Sequence, residues 1–239
     1  MIDQNKIAVI SSGNGAQTMA AYLAILGFSV SLYVREKARA EMFPADHVFH
    51  LEGIIKAKSV VGIISNEMHE VIRGAYLIMV TTPAQYHPFI AQEMASCLED
   101  GQIIVLNPGR TFGTYVFKKD MEEFGNDKNV ILAEPETFVF ASRCIRVAEP
   151  FIHSIKSTVN VAAHNPGDTS RVIEVLSPKF PGIIKPAKST LFTSFTNIGM
   201  VFPSITDLTQ HNQNRKPGKI PLLQPGNHTS CSKYHRPDG

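Results

Sequence analysis

Apolar residues in this chain come in short unbroken runs, and the runs alternate with segments of helical period. Residues 6–10, KIAVI, predict a strand buried on both faces. A glycine-containing turn follows, then AQTMAAYLAILG (16–27), apolar at helical spacing and closed by Gly27. FSVSLYVR (28–35) predicts a second strand, so the chain opens as a parallel strand–helix–strand unit. VVGIIS (60–65) predicts a strand, and GAYLIMVTTPA (74–84) another that runs into a proline-marked loop. HPFIAQEMASCLEDG (87–101) predicts a helix closed by Gly101, and QIIVLNPG (102–109) a strand ending in a turn. TYVFKKDMEEFG (114–125) continues as helix and NVILAEPETF (129–138) as strand. Residues 145–164 alternate like antiparallel strands that close the sheet edge, and DTSRVIEVLSPKF (168–180) adds one more helix. This order predicts an α/β fold built on a doubly wound, mostly parallel sheet. STLFTSFTNIGMVF (189–202) has the pattern of the first helix of a second domain, and from residue 203 onward no usable period remains.

Composition narrows the function classes. The 239 residues are 44% hydrophobic and 18% charged, as in a soluble globular protein. A formal net charge of +2 gives no case for nucleic acid or an anionic membrane as partner. No apolar run approaches the roughly 18 residues of a membrane span. The amino terminus enters a buried strand without a basic stretch or signal-like run, so the expected location is cytoplasmic. Cys97, Cys144 and Cys231 form no CxxC pair and read as ordinary free thiols.

The chemistry concentrates where strands end. Between the first strand and first helix, KIAVISSGNGAQ occupies the phosphate-turn position of a Rossmann unit, which needs a tight turn, close backbone approach and a helix amino terminus. The G-x-G-x-x-G/A pattern falls on Ser11, Gly13 and Ala16, with Asn14 and Gly15 between them. Serine at the first position departs from the pattern: its hydroxyl either tightens phosphate binding or strains the turn. The second strand ends in Arg35, with Lys37 and Arg39 close behind and Glu36 one place late for a ribose-binding acid. Arg35 is suited to stack on adenine and pair with a 2′-phosphate, so the expected cofactor is NADP, with NAD as the alternative. Thr81 and Pro83, then Asn107 and Pro108, stand at two further strand ends and are candidates to line the nicotinamide half. His87 reads as a capping or surface residue.

Taken together, SGNGAQTMAAYLAILGFSVSLYVR, LNPGRTFG, AEPETFVFASR and STLFTSFTNIGMVF resemble the octopine/nopaline-type opine dehydrogenases, in that family's order across residues 6–202. The resemblance implies a Rossmann domain followed by a helical dehydrogenase domain, with substrates in the cleft between them. It implies reductive condensation of an amino acid with a 2-oxo acid such as pyruvate, using NAD(P)H. Glycerol-3-phosphate and ketopantoate reductases share that architecture and are the competing reading. Residues 1–185 are then the nucleotide-binding domain, 186–202 the start of the helical domain, and 203–239 a tail. Glu136, Thr137 and Arg143 are candidates for either a substrate contact or a structural role.

In the family, the helix holding NIGMVF continues with His-Pro, and that histidine is the general acid/base. Here Pro203 follows Phe202 directly. Read one base later with allowed codons, residues 221–239 can give a segment resembling the family's GITPxVA, and a similar shift works from Pro203. Residues 203–239 are therefore read as out-of-frame sequence, and the chain as truncated, without catalytic residues and without turnover. On this reading His228, Cys231 and His235, at metal-like spacing, bind no metal, and the sequon at Asn227 is not used. An apolar stub over 189–202 is expected to be left open, giving poor solubility or non-native self-association.

Overall fold

The computed structural model describes residues 2–196. The end of the 189–202 helix, the Phe202–Pro203 junction, the 203–239 tail and its Asn227, His228, Cys231 and His235 lie outside the described residues.

The chain opens with β1 (Asp3–Ile10), α1 (Asn14–Ile25), β2 (Ser29–Tyr33) and a short α2 (Lys37–Ala40). Then come β3 (Val48–Gly53), β4 (Ala57–Val60), β5 (Ile63–Ser65), α3 (Met68–Ile72) and β6 (Ala75–Val80). Next are α4 (His87–Ala95), β7 (Ile103–Leu106), α5 (Gly113–Glu123) and β8 (Ile131–Pro135). The rest comprises β9 (Phe140–Arg146), β10 (Glu149–Ile155), β11 (Val159–Ala163), α6 (Thr169–Leu176), β12 (Ile184–Pro186) and α7 (Thr190–Thr196).

Eight strands form the main sheet in the order β12-β11-β8-β7-β6-β1-β2-β5. The six from β8 to β5 are parallel throughout, β11 joins β8 antiparallel, and β12 runs parallel to β11. This is the doubly wound Rossmann-like sheet expected from the sequence. Strand β1 shows why an unbroken apolar run is needed at its centre. Ile7 and Val9 point into one core with Met19, Leu23, Phe49 and Phe180, while Ala8 and Ile10 point into the other with Ile78, Ile90, Met94 and Phe117. The chain leaves β1 toward β2 on one side and later returns to β6 on the other, which opens a crevice at the carboxyl ends of β1 and β6.

A second sheet, β4-β3-β10-β9, lies over α1. It accounts for a helix buried almost all round, with Ala16, Gln17, Thr18, Met19, Ala20, Ala21 and Leu23 inside. Gln17 donates from Nε2 to the Ser12 carbonyl at 2.9 Å and accepts the Ala148 N–H at 2.8 Å, so it joins the turn, the helix and the β9–β10 hairpin. Tyr22 stacks on Phe180 at 5.6 Å and donates to the Lys179 carbonyl at 3.1 Å.

Three expectations need correction. Residues 60–65 are not one strand: Val60 pairs with Val48 in the small sheet, whereas Ile63 pairs with Ser31 in the large one, and the chain changes sheets through Gly62. Of residues 145–164, only β11 closes the main sheet; β10 pairs with β9 and β3 instead. The helix of 87–101 ends at Ala95, well short of Gly101. Among the described residues, no helix is long and apolar enough to cross a membrane.

Candidate functional site

The turn after β1 brings Ser11 and Ser12 to the crevice and runs through Gly13, the amino-terminal cap of α1, into Asn14, Gly15 and Ala16. Four amide N–H groups at a helix start have no carbonyl partner within the helix, so this end carries a partial positive charge. Ser11 stands at φ 131°, a region natural to glycine and strained for a side-chain residue. Its Oγ accepts the Gly13 N–H at 3.3 Å. Both halves of the sequence-derived alternative therefore touch the same residue: the backbone is strained and the hydroxyl braces the turn. A Cβ on Gly13 would meet only Ser11 Oγ, at 3.7 Å, so the space above the turn is open. A Cβ on Gly15 would lie 3.2 Å from the Phe138 ring, so its lack of a side chain serves packing. Asn14 uses its side-chain oxygen to accept the Cys144 N–H at 3.2 Å, fixing β9 rather than facing the crevice. Ala16 is buried.

Beside the turn lies a cleft of about 210 Å³, lined by Ser11, Ser12, Tyr33, Arg35, Glu36, Arg39, Thr82, Pro83, Tyr86, Phe89 and Ile90. Two guanidinium groups mark it. Arg35 lies 5.7 Å from the Tyr86 ring centre and 5.5 Å from that of Phe89, and contacts Glu36 at 3.4 Å across the surface. Arg39 donates from Nε to Ser12 Oγ at 2.8 Å and from Nη2 to the Ser12 carbonyl at 3.2 Å. A guanidinium has five N–H donors, so Arg39 is held in place while keeping others for a ligand. Tyr33 donates to Glu93 at the floor, and burial with that neighbouring carboxylate pushes its phenol pKa upward. Sequence reading placed Arg35 here; it passed over Arg39, Ser12, Tyr86 and Phe89 as site residues. Arg39 reaches the turn because α2 is a single helical turn that carries it back toward β1, and no apolar period announces so short an element.

On the other side of β1, Thr81 spends its hydroxyl on the Ile10 carbonyl at 3.1 Å, which ties the end of β6 to β1. Pro83 lines the cleft. Asn107 is buried and donates from Nδ2 to the Val105 carbonyl at 2.7 Å; its peptide bond to Pro108 is cis. These two residues shape the loop after β7. His87 is buried, not a surface residue: its Nε2 lies 3.0 Å from the Thr82 carbonyl, which can only accept, so the proton sits on Nε2. Burial lowers its pKa. Glu136 accepts the Asn160 backbone and side-chain amides at 3.1 and 2.9 Å and the Thr196 hydroxyl at 3.0 Å, a structural role. Among the described residues, no group of three His, Cys, Asp or Glu side chains could hold a metal ion.

Sequence reading also missed Glu134, which is 1% exposed near the carboxyl end of β8. It accepts from Thr193 Oγ1 at 2.7 Å, Ser194 Oγ at 3.2 Å and the Thr114 N–H at 3.2 Å. Burial raises its pKa, opposed by those donors.

No family model matches the chain. It is 27% identical over 209 residues to an opine dehydrogenase of Arthrobacter sp. (strain 1C), covering 87% of this chain and 58% of that one. A solved structure of octopine dehydrogenase with NADH and pyruvate superposes with a TM-score of 0.71 at 22% identity, over 89% of this chain and 57% of that one. Yersinopine dehydrogenase with NADP+ bound superposes with a TM-score of 0.66 at 11% identity, over 82% and 51% of the respective chains. The resemblance read from the sequence thus extends over 87% of the chain, and the chain spans little more than half the length of these relatives.

Proposed function

We propose that residues 1–185 bind a nicotinamide dinucleotide, preferably NADP(H), for an opine dehydrogenase-type oxidoreductase that condenses an amino acid with a 2-oxo acid. The observation that carries this is the pairing of the helix-start turn with Arg39 beside it. The pyrophosphate lies at the start of α1 over Gly13, where partial positive charge and open space coincide. The adenosine half falls over β2, with its adenine against Arg35 and its 2′-phosphate between Arg35 and Arg39. The nicotinamide half crosses β6 and β7, above Asn107 and Pro108, whereas Pro83 lines the adenosine-side cleft. Glu36 sits in the cleft where an acid would favour NAD, but it is paired with Arg35, which leaves a net cationic site.

The relatives' names support the reaction class: an opine dehydrogenase in sequence, octopine and yersinopine dehydrogenases in fold. The protein supplies binding and orientation, and the cofactor, when bound, supplies the hydride. Residues 203–239 are proposed to be out-of-frame sequence, in which case the 239-residue chain binds dinucleotide without turnover.

Titrating the full chain with NADPH and with NADH, read by nicotinamide fluorescence, tests the cofactor assignment. NADPH is expected to bind at least about tenfold more tightly, a difference of about 1.4 kcal/mol. Arg39→Ala should shrink that preference, weakening NADPH more than NADH, with the smaller NADH loss coming from the Ser12 bonds that Arg39 gives up. Binding of neither nucleotide would sink the proposal, and tighter binding of NADH would reverse the cofactor assignment. Turnover with pyruvate and a panel of amino acids tests the rest: activity of the 239-residue chain would refute the out-of-frame reading.

A further inference from the structure

Glu134 is a buried carboxylate at which three separate parts of the fold meet. The loop after β7 presses on it from one side. A Cβ added to Gly109 would lie 2.1 Å from Glu134 Oε2 and 2.8 Å from its Cδ, so the loop backbone approaches as closely as a glycine allows. The amino terminus of α5 donates to it through the Thr114 N–H. From a third direction α7 brings Thr193 and Ser194. Ser194 closes the circuit, because its Oγ accepts the Phe112 N–H at 3.1 Å and also lies 3.2 Å from the Arg110 carbonyl. The helix is thus bonded both to the carboxylate and to the loop the carboxylate supports.

The orientation of α7 follows from this. Its hydroxyl residues Thr190, Thr193 and Ser194 are buried, while Leu191, Phe192 and Phe195 face outward. An amphipathic helix ordinarily buries its apolar side. Here the buried acceptor selects the polar side, since an unpartnered carboxylate in the interior would cost several kcal/mol.

We infer that Glu134 is a positioning residue for the nicotinamide half of a bound dinucleotide, holding loop 107–113 in place by tying it to α7. The inference rests on the dinucleotide reading above and deepens it. Asn107 and Pro108, at the head of this loop, are the residues that reading sets beside the nicotinamide. Glu134 touches no ligand itself. It acts through the loop, so its loss should disturb one half of the cofactor site and spare the other: the adenosine cleft is built from the β1 turn, β2, α2 and α4, none of which bonds to it.

The test uses the full chain and two probes, NADPH and adenosine 2′,5′-bisphosphate, the latter carrying only the adenosine half. In Glu134→Ala, NADPH should bind about tenfold more weakly. The enhanced emission of bound reduced nicotinamide should fall toward its value in water, while the bisphosphate affinity stays within about twofold. Ser194→Ala keeps the carboxylate and removes one tie to α7, and should show the same selectivity with a smaller loss. Glu134→Gln, with the same shape but one acceptor fewer for its three donors, should recover part of the emission. Equal weakening of both probes in Ser194→Ala and Glu134→Gln would overturn the inference in favour of a general structural role. Unchanged NADPH affinity and emission in Glu134→Ala would overturn it outright. Failure of the wild-type chain to bind either probe would instead overturn the dinucleotide reading, and this inference with it.

Discussion

Gly109→Ala is a sharp perturbation of the loop after β7. The new methyl group would stand 2.1 Å from Glu134 Oε2, 2.8 Å from its Cδ and 2.9 Å from its Cβ. Ordinary carbon contacts begin near 3.5 Å, so the carboxylate must retreat by about 1 Å. It cannot do so freely, because Oε1 is held by Thr193 at 2.7 Å and Oε2 by the Thr114 N–H at 3.2 Å. Overpacking costs about 1–3 kcal/mol, and a displaced buried hydrogen bond about 1–3 kcal/mol more. The expected loss is about 3 kcal/mol, a large share of the roughly 5–15 kcal/mol that holds a domain folded. Urea denaturation of the wild type and variant measures it. A double-mutant cycle with Glu134→Ala isolates the cause. With the carboxylate gone only the Cβ contact remains, and the added cost of Gly109→Ala should drop to about 1 kcal/mol. A cost below about 1 kcal/mol in the wild-type background, or the same cost in both backgrounds, would refute the reasoning.

Ser11→Gly should stabilise the domain by about 1 kcal/mol in urea, since relief of strain at φ 131° outweighs the entropic cost of glycine. His87 gives a pH signature. Its pKa is lowered by burial, so the unfolded chain takes up the proton first and stability is lost as pH falls below about 6.5. The urea midpoint should therefore fall between pH 7.5 and 5.5, and less so in His87→Asn. Finally, Phe112, Phe192 and Phe195 form an exposed apolar patch, with Phe195 71% exposed and its ring 6.1 Å from that of Phe112. Sedimentation velocity should show concentration-dependent self-association that Phe195→Ser reduces; a monomer at all concentrations would contradict this.

The legible part of the fold was the part whose pattern follows from its surroundings on both sides. Strand β1 must be apolar at every central position because cores flank it, and the glycines of the turn after it mark a backbone that must pass close to its surroundings at a helix start. The small sheet was not legible. In β3, VFHLEG, buried Phe49 and Leu51 alternate with outward residues, and a run of six says nothing about which sheet it will join. The switch at Gly62 hides inside what reads as one strand. Helix α7 was read only for its apolar side; its buried hydroxyl side was not legible because the carboxylate that receives it lies some sixty residues earlier.

The cover over α1 has a consequence for how the chain is made. Helix α1 is enclosed by residues synthesised long after it. Thr18 meets Ser142, Gln17 meets Ala148, and Tyr22 meets Phe180 and Lys179. Until the ribosome has passed residue 180, α1 has an unfilled outer face, and the strand–turn–helix that looks autonomous in sequence lacks its lid. Contacts of such separation slow folding and leave apolar surface exposed meanwhile. A nascent chain arrested at residue 140 should remain sensitive to protease through the β1 turn, and protection should arrive only once the segment carrying Phe180 has emerged.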